Sequence, residues 1–251
     1  MNLTDDQLQR YARHLILPEV GGAGQAKLRA AHVTVVGAGG VGGPVLQYLA
    51  AAGVGALRAI DDDRVSLDNL QRQVLFGTDD AGAPKLHAVA HALARLNPDV
   101  AFEPRPVRLD AANAADLLAG TDLVIDGSDN FATRLGVSDA TVRLRVPLVS
   151  AALGRFQAQI ATWRGWTDGP CYRCFVGDAF DCDDADTCAE QGVLGAVAGL
   201  AGSWAALEAA RAIVSFGEEQ GGKLHVFDGL KPAMRTIRVA KDPACKGCGQ
   251  M

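Results

Sequence analysis

The residues best suited to chemistry begin with a cluster of glycines near the start of the chain. Gly37, Gly39 and Gly42 follow the G-x-G-x-x-G spacing directly after the apolar run 33–36, which is typical of a buried parallel strand, and directly before a helical pattern. Glycine permits a tight turn there and lets a phosphate approach the backbone, while the amides of the helix N-terminus face that phosphate. The motif predicts nucleotide binding without specifying the nucleotide, and its default interpretation is a dehydrogenase.

Carboxylates follow two of the predicted strands. Asp61 and Asp63 come after the strand 54–60, and Asp129 comes shortly after the strand 122–126. In open α/β sheets, ligands bind at the carboxyl ends of the strands. Asp61 is therefore placed to accept hydrogen bonds from a ribose, and Asp129 is placed to hold Mg²⁺ on a bound nucleotide. The alternative for Asp129 is a helix N-cap, and both roles are compatible.

A polar loop and a lysine are expected near the same edge of the sheet. The segment 64–73 is polar and carries three side-chain amides and two arginines. Lys85 falls in the first turn of a helix, where a cation is unfavourable unless an anion lies nearby, so we interpret it as a phosphate ligand. His87 and His91 are spaced for one helix face, but we interpret them as exposed because no third metal ligand accompanies them.

Four of the six cysteines form two C-x-x-C pairs, and thiolates at this spacing can point at one tetrahedral Zn²⁺. We favour a closed structural zinc site over a redox centre, because neither pair is expected to open a helix after a strand. The four ligands predicted for this site are Cys171, Cys174, Cys245 and Cys248.

Composition excludes several classes of protein. The chain has 251 residues, 49% of them hydrophobic, and a net charge of −5, so it can bury a large core and has no basic field for nucleic acid or anionic membranes. Its N-terminus is polar, and the longest apolar region, 193–216, is interrupted by Glu208 and Arg211, so we expect no membrane span. We predict a cytoplasmic protein.

The order of the elements predicts an α/β protein with a Rossmann-like doubly wound sheet. N-terminal helices occupy about 1–31, and a nucleotide-binding βαβ series occupies 32–152. In the remaining part, 153–251, three alternating segments are expected to extend the parallel strands with antiparallel ones, next to the zinc pairs. We treat 1–251 as a single domain. The three alternating segments are 157–163, 223–228 and 234–239.

These motifs together make the chain resemble the MoeB/ThiF/HesA family, the bacterial relatives of ubiquitin-activating enzymes, over essentially its whole length. The Asn-Leu-Gln-Arg-Gln run at 69–73 is the most specific match and is foreign to ordinary dehydrogenases. The other matching stretches are residues 10–13, 37–42, Asp61 with Asp63, 66–68, 84–85, 128–130, 170–174 and 245–249.

The resemblance implies an adenylyltransferase that uses ATP and Mg²⁺. In such enzymes, the C-terminal Gly-Gly carboxylate of a ubiquitin-like sulfur-carrier protein attacks the α-phosphorus of ATP. Pyrophosphate leaves and an acyl-adenylate forms, by a reaction that depends mainly on positioning and charge stabilisation. The carrier is expected to be MoaD-like, from molybdopterin biosynthesis, or else ThiS-like, from thiamine biosynthesis. The sulfur donor is expected to be a separate protein.

The resemblance also implies roles for individual residues. Arg13 would enter the active site of the other subunit of a homodimer, and Cys188 would join covalently to the carrier during sulfur transfer. Arg72, Lys85 and Asp129 would act on the phosphates and Mg²⁺. The residues expected around the nucleotide are Gly37, Gly39, Gly40, Gly42, Asp61, Asp63, Asn69, Arg72, Gln73, Lys85, Asp129 and Asn130.

Two alternatives remain open at the level of the sequence. One is an NAD-dependent oxidoreductase, which has no use for Mg²⁺ or for the cations Arg72 and Lys85. The other is a catalytically silent module that binds a ubiquitin-like partner. Asp129 and Arg13 favour an enzyme over such a module.

Overall fold

The structure is a computed structural model that describes residues 3–177 and 192–249. Its strands are β1 (His32–Val36), β2 (Ala56–Ile60), β3 (Ala101–Arg105), β4 (Leu123–Asp126), β5 (Leu148–Gly154), β6 (Gln157–Trp163), β7 (Lys223–Asp228) and β8 (Ala233–Arg238). Its helices are α1 (Asp5–Leu15), α2 (Gly21–Ala30), α3 (Gly42–Ala52), α4 (Lys85–Leu96), α5 (Ala114–Leu118), α6 (Phe131–Leu144), α7 (Tyr172–Val176) and α8 (Gly195–Val214).

The described strands form one sheet in the order β3-β2-β1-β4-β5-β6-β7-β8. Strands β1 to β5 pair in parallel, and β6 to β8 continue the sheet in antiparallel pairs. The predicted α/β fold is therefore confirmed, including the antiparallel extension. Strand β1 lies between β2 and β4, so successive crossovers leave it in opposite directions. A crevice opens at the carboxyl ends of strands at such a switch point.

Helices cover both faces of the sheet. One core cluster packs α2, α3, α4 and α8 against one face, and a second packs α5, α6 and α7 against the other. Strand β1 illustrates why the central strands read as continuous apolar runs: Val33 and Val35 are fully buried on one face, and Val36 packs into the cluster on the other.

Helix α8 is long and apolar enough to cross a membrane by length and composition. In this fold it is a core helix: Ala201, Ala205 and Ala209 are fully buried in the cluster that α8 forms with the sheet and α3. Gly202 lets α3 approach closely, since a Cβ there would lie 2.5 Å from the carbonyl oxygen of Val41. The predicted apolar region 193–216 thus forms part of the core.

Candidate active site

A cleft of about 290 Å³ opens at the carboxyl edge of the parallel strands, beside β1 and β4. Residues from eight separate segments of the sequence meet there, so the cleft exists only in the folded chain. The predicted site residues that line it are Gly37, Gly39, Gly40, Asp61, Asp63, Arg72, Gln73, Lys85, Asp129 and Asn130.

The glycine-rich turn connects β1 to α3. Gly37 has a φ of +84°, which only glycine adopts without strain, and a Cβ on Gly42 would lie 1.8 Å from the Gly37 carbonyl oxygen. The Ala38 amide donates a 2.7 Å hydrogen bond to Oδ2 of Asp61, which ties the turn to the end of β2. No side chain caps α3. The Gly43 amide already donates a 2.8 Å hydrogen bond to the Gly39 carbonyl oxygen, so the amides left for an anion in the cleft are those of Gly39 and Gly40, in the turn that leads into α3.

Lys85 is the first residue of α4, as predicted, and its side chain is only 4% exposed. Its Nζ lies 2.7 Å from Oδ2 of Asp63 and 3.9 Å from Oδ2 of Asp61. These carboxylates offset the unfavourable position of the cation. Burial raises the pKa of Asp61, and Lys85 opposes that rise. Because the Asp63 side chain is 67% exposed, it can move aside and release Lys85 to a phosphate.

Arg72 and Gln73 reach the cleft from the polar loop after β2. The side-chain oxygen Oδ1 of Asn69 accepts a hydrogen bond from Nη2 of Arg72, so Asn69 orients the arginine without itself lining the cleft. Gln73 is buried, and its Oε1 has no hydrogen-bond partner among the described residues. Buried acceptors in proteins are normally hydrogen-bonded, so we expect Oε1 of Gln73 to accept a hydrogen bond from a ligand or from water.

The turn after β4 presents Asp129 to the cleft. Oδ1 of Asp126 accepts hydrogen bonds from the amide and hydroxyl of Ser128, and Oδ1 of Asn130 accepts one from the Thr133 amide. Asn130, and not Asp129, is therefore the N-cap of α6, so the alternative role considered for Asp129 was wrong. The exposed Asp129 side chain has no hydrogen bond or ion pair with the described residues. A free carboxylate in a nucleotide cleft fits Mg²⁺.

Further residues of the cleft were missed by the sequence reasoning. They include Arg108 and Leu109, which follow β3, and Thr133 and Arg134 from the first turn of α6. Arg134 carried a usable indication, because a cation in the first turn of a helix is unfavourable in the same way as Lys85. Arg108 and Leu109 lie in an irregular segment with no motif, and only the fold brings them to the site.

The four predicted cysteines converge behind α6. Their sulfur atoms lie within 4.8 Å of one another, and none of the four forms a disulfide. Pairs are separated by 4.0 Å (Cys171–Cys174), 3.6 Å (Cys171–Cys245) and 3.4 Å (Cys174–Cys248). A tetrahedral Zn²⁺ with Zn–S distances of about 2.3 Å keeps its sulfurs about 3.8 Å apart, so the four residues fit the ion.

The electrostatics of this cluster also favour a cation. Burial raises the pKa of the Cys171 thiol well above its usual range, and burial likewise raises that of Cys248, to about 11. Without a metal these thiols stay protonated, whereas a dication would stabilise the thiolates. Cys171 is the N-cap of the short helix α7, so the first pair opens a helix, but residues 164–170 separate that helix from β6.

Besides Asn69, the predicted site residues Gly42 and Arg13 do not line the cleft. Gly42 packs against the glycine turn, as described above. Arg13 is exposed on α1, away from the cleft of its own chain. Cys188 lies outside the described residues, so the structure does not test its role. His87 and His91 are exposed on α4, as predicted, and belong to no metal-binding cluster within 3–177 and 192–249.

Comparison with known proteins assigns the chain to a family. The ThiF family model matches residues 11–247. The chain is 44% identical to the sulfur carrier protein adenylyltransferase of Thermus thermophilus, covering 99% of the chain and 93% of the relative. It is 42% identical to the SAMP-activating enzyme E1 of Haloferax volcanii, covering 100% of the chain and 92% of the relative.

A solved structure supports the same fold. The crystal structure of MccB from E. coli superposes with a TM-score of 0.84 at 23% identity, covering 99% of this chain and 74% of the other. The enzyme class of this chain is that of its relatives, a nucleotidyltransferase. The chain belongs to the ThiF family.

Proposed function

We propose that this protein activates a ubiquitin-like sulfur carrier by transferring AMP from ATP to the C-terminal Gly-Gly carboxylate of that carrier. The observation that carries the proposal is the combination found in one cleft: a glycine turn with free amides, the cations Arg72 and Lys85, and the unpaired carboxylate of Asp129. Hydride transfer by a dehydrogenase uses neither the cations nor Asp129.

Each group has a part in the proposed reaction. ATP is a substrate: Asp61 accepts hydrogen bonds from its ribose, and the amides of Gly39 and Gly40 lie against the nucleotide. Arg72, oriented by Asn69, and Lys85, released from Asp63, bind the phosphates as charge builds up during attack on the α-phosphorus. Asp129 holds Mg²⁺, which when bound neutralises charge on the phosphates and the leaving pyrophosphate.

We infer that the active enzyme is a homodimer in which Arg13 enters the cleft of the partner. Arg13 is exposed and forms no contact with its own cleft, which supports a role between subunits. Helix α1 can present it rigidly, because the buried hydroxyl of Tyr11 accepts a 3.0 Å hydrogen bond from the Asn97 amide.

The partner and the remaining assignments are also part of the proposal. The carrier is MoaD-like in our primary hypothesis and ThiS-like in the alternative, and the antiparallel part, 153–251, is where we place its binding. The four-cysteine site holds a structural Zn²⁺. A separate sulfur donor acts after adenylation, and Cys188 is retained as a candidate for covalent attachment. A cytoplasmic location stays a prediction.

Intact-mass analysis of the carrier tests the reaction and names the partner. The protein is incubated with ATP, Mg²⁺ and either a MoaD-like or a ThiS-like carrier. We expect one carrier to gain the mass of one adenylyl group, and we expect the same carrier without its last glycine to gain nothing. If neither carrier gains this mass with a folded, metal-loaded protein, the proposed function is wrong.

A further inference from the structure

Arg134, a residue of α6, is a buried cation that lines the cleft. It is only 7% exposed, although it lies in the first turn of α6, where the helix dipole disfavours a positive charge. Burying an arginine at such a position requires specific partners. Those partners are main-chain oxygens: Nη2 donates a hydrogen bond to the carbonyl of Ser128 and a second one, of 3.1 Å, to the carbonyl of Ala151.

These two acceptors lie on different elements, and one of them adjoins the proposed metal ligand. Ala151 is a residue of β5, whereas Ser128 belongs to the turn after β4 and directly precedes Asp129. Arg134 therefore ties that turn to the neighbouring strand. The other side of Ser128 is tied to Asp126, which accepts from its amide and hydroxyl at 2.9 and 2.6 Å. Among the described residues, the Asp129 carboxyl alone is left without such a bond in this turn.

Tyr172, which lies between Cys171 and Cys174 in the sequence, is buried in the same core cluster as Leu135, the neighbour of Arg134 on α6. Nη1 of Arg134 is buried and makes no hydrogen bond with the described residues. The Tyr172 hydroxyl lies within electrostatic reach of the guanidinium and of Asp126. The Tyr172 ring is fixed in turn, since it packs edge-on against Trp163 at 6.0 Å. A series of interactions thus runs from the first cysteine pair to the turn that carries Asp129.

We propose that Arg134 is a positioning residue for the Mg²⁺ site, which acts through the main chain of the turn 127–130 and is itself held in place by Tyr172. This inference rests on the proposed function, because it assigns Mg²⁺ to Asp129. Arg134 touches neither the metal nor the reacting atoms in this account. Its effect is to fix where the Asp129 carboxylate stands relative to the phosphates, as outer residues do for metal ligands in general.

The substitution Arg134→Lys tests the hydrogen bonds from Arg134 to the carbonyls of Ser128 and Ala151. It keeps the positive charge, but the single ammonium of lysine does not reproduce the planar guanidinium geometry. ATP binding is measured by calorimetry over a range of Mg²⁺ concentrations for the wild type and Arg134→Lys. We expect the Mg²⁺ concentration that gives half-maximal ATP affinity to rise about tenfold or more. In pyrophosphate exchange, we expect kcat to fall with little change in the KM for the carrier.

Two further variants complete the experiment. Arg143→Lys, in the exposed last turn of the same helix, is the matched control and should retain the wild-type Mg²⁺ dependence. Tyr172→Phe keeps the packed ring and should shift the Mg²⁺ dependence in the same direction by a smaller factor. It also provides the test if Arg134→Lys does not fold.

The failure of this inference is distinguishable from the failure of the proposed function. If the wild type binds ATP in an Mg²⁺-dependent way and the folded Arg134→Lys variant, or Tyr172→Phe in its place, keeps the same dependence, the inference is wrong and the proposed function stands. If the folded wild type binds no ATP at any Mg²⁺ concentration, the proposed function itself is wrong, and the positioning role is overturned with it.

Discussion

Asp129 and Lys85 line the same cleft, but only the charge of Lys85 is balanced by an ion pair with the described residues. Lys85 is buried and paired with Asp63 and Asp61, so part of its role is structural. Asp129 is exposed and has no hydrogen bond or ion pair with the residues that the structure describes. The Asp129 carboxylate therefore contributes no interaction that stabilises the described fold. For this reason, substitution of Asp129 should affect activity with less effect on stability than substitution of Lys85.

Replacing Asp129 by asparagine should abolish most of the activity without unfolding the protein. Loss of the carboxylate that we propose binds Mg²⁺ should lower kcat for pyrophosphate exchange by about a hundredfold, whereas the melting temperature should change little because no folded-state partner is lost. The control is Asp116→Asn, an exposed aspartate on α5 far from the cleft. Exchange by Asp129→Asn at the wild-type rate would remove Asp129 from the mechanism.

The sequence predicted the residues of the cleft well where a local motif existed. The glycine turn, the carboxylates and Lys85 could be placed because strand ends and helix starts are readable from the chain. Arg108 and Arg134 were missed because their role depends on which strands become neighbours. The N-cap was considered as an alternative role for Asp129, because both Asp and Asn cap helices and only the observed hydrogen bond from the Thr133 amide to Asn130 decides between them.

Between elements, the contact between α3 and α8 depends on one glycine. A Cβ at Gly202 would lie 2.5 Å from the Val41 carbonyl oxygen and 2.9 Å from Pro44, next to the turn that begins the nucleotide site. Gly199 is on the same helix, and a Cβ there meets nothing within 4 Å. Substitution at Gly202 therefore tests the close packing of α8 against α3, whereas substitution at Gly199 tests helix propensity alone.

We predict opposite effects for alanine at these two glycines. Gly202→Ala should lower the free energy of unfolding by about 1–3 kcal/mol, because backbone atoms of α3 must move. Gly199→Ala should raise it, by up to about 1 kcal/mol, because alanine is the better helix former. Urea unfolding of both variants provides the measurement. A stabilised Gly202→Ala variant would contradict the close approach seen here.

His225 of β7 connects the antiparallel strands to α8 and should make stability depend on pH. Its ring lies 5.2 Å from that of Trp204, and burial lowers its pKa, with Lys223 and Arg211 acting in the same direction and Glu208 opposing them. The unfolded chain, with a histidine pKa of about 6.5, then binds more protons than the folded chain just below that pH. Stability should rise as pH increases towards 6.5 and fall as pH decreases below it.

The variant His225→Gln isolates this effect. The difference in melting temperature between the wild type and His225→Gln should be constant above a pH of about 7 and should shift against the wild type between about pH 6.5 and 5. The other histidines are common to both proteins and cancel in the difference. Parallel pH profiles would show that His225 titrates alike in the folded and unfolded chains.

For the whole molecule, the eight-stranded sheet joins the nucleotide-binding part to the antiparallel part in one continuous layer. The sequence predicted this architecture because the switch from apolar runs to alternating strands after residue 154 is readable as a switch from parallel to antiparallel pairing. It did not predict that Tyr172, between two of the cysteines, would come within electrostatic reach of Arg134 in the cleft, since the two residues lie about 40 positions apart in the sequence.

The proposed exchange of Arg13 between subunits can be tested by mixing two inactive variants. Arg13→Ala and Asp129→Asn should each show little pyrophosphate exchange alone. A mixed dimer has one cleft with both defects and one with neither, so mixing after subunit exchange should restore activity. Arg13→Ala mixed with itself is the control. Failure of the mixture to regain activity, although mixed dimers form, would exclude Arg13 from the partner's site.

The central claim is tested most directly by exchange of labelled pyrophosphate into ATP, in the presence of Mg²⁺ and each candidate carrier. The account predicts exchange that requires one carrier and disappears when the last glycine of that carrier is removed. Absence of exchange with every carrier, in a protein that is dimeric and has metal in its four-cysteine site, would contradict the adenylation of a carrier carboxylate in this cleft.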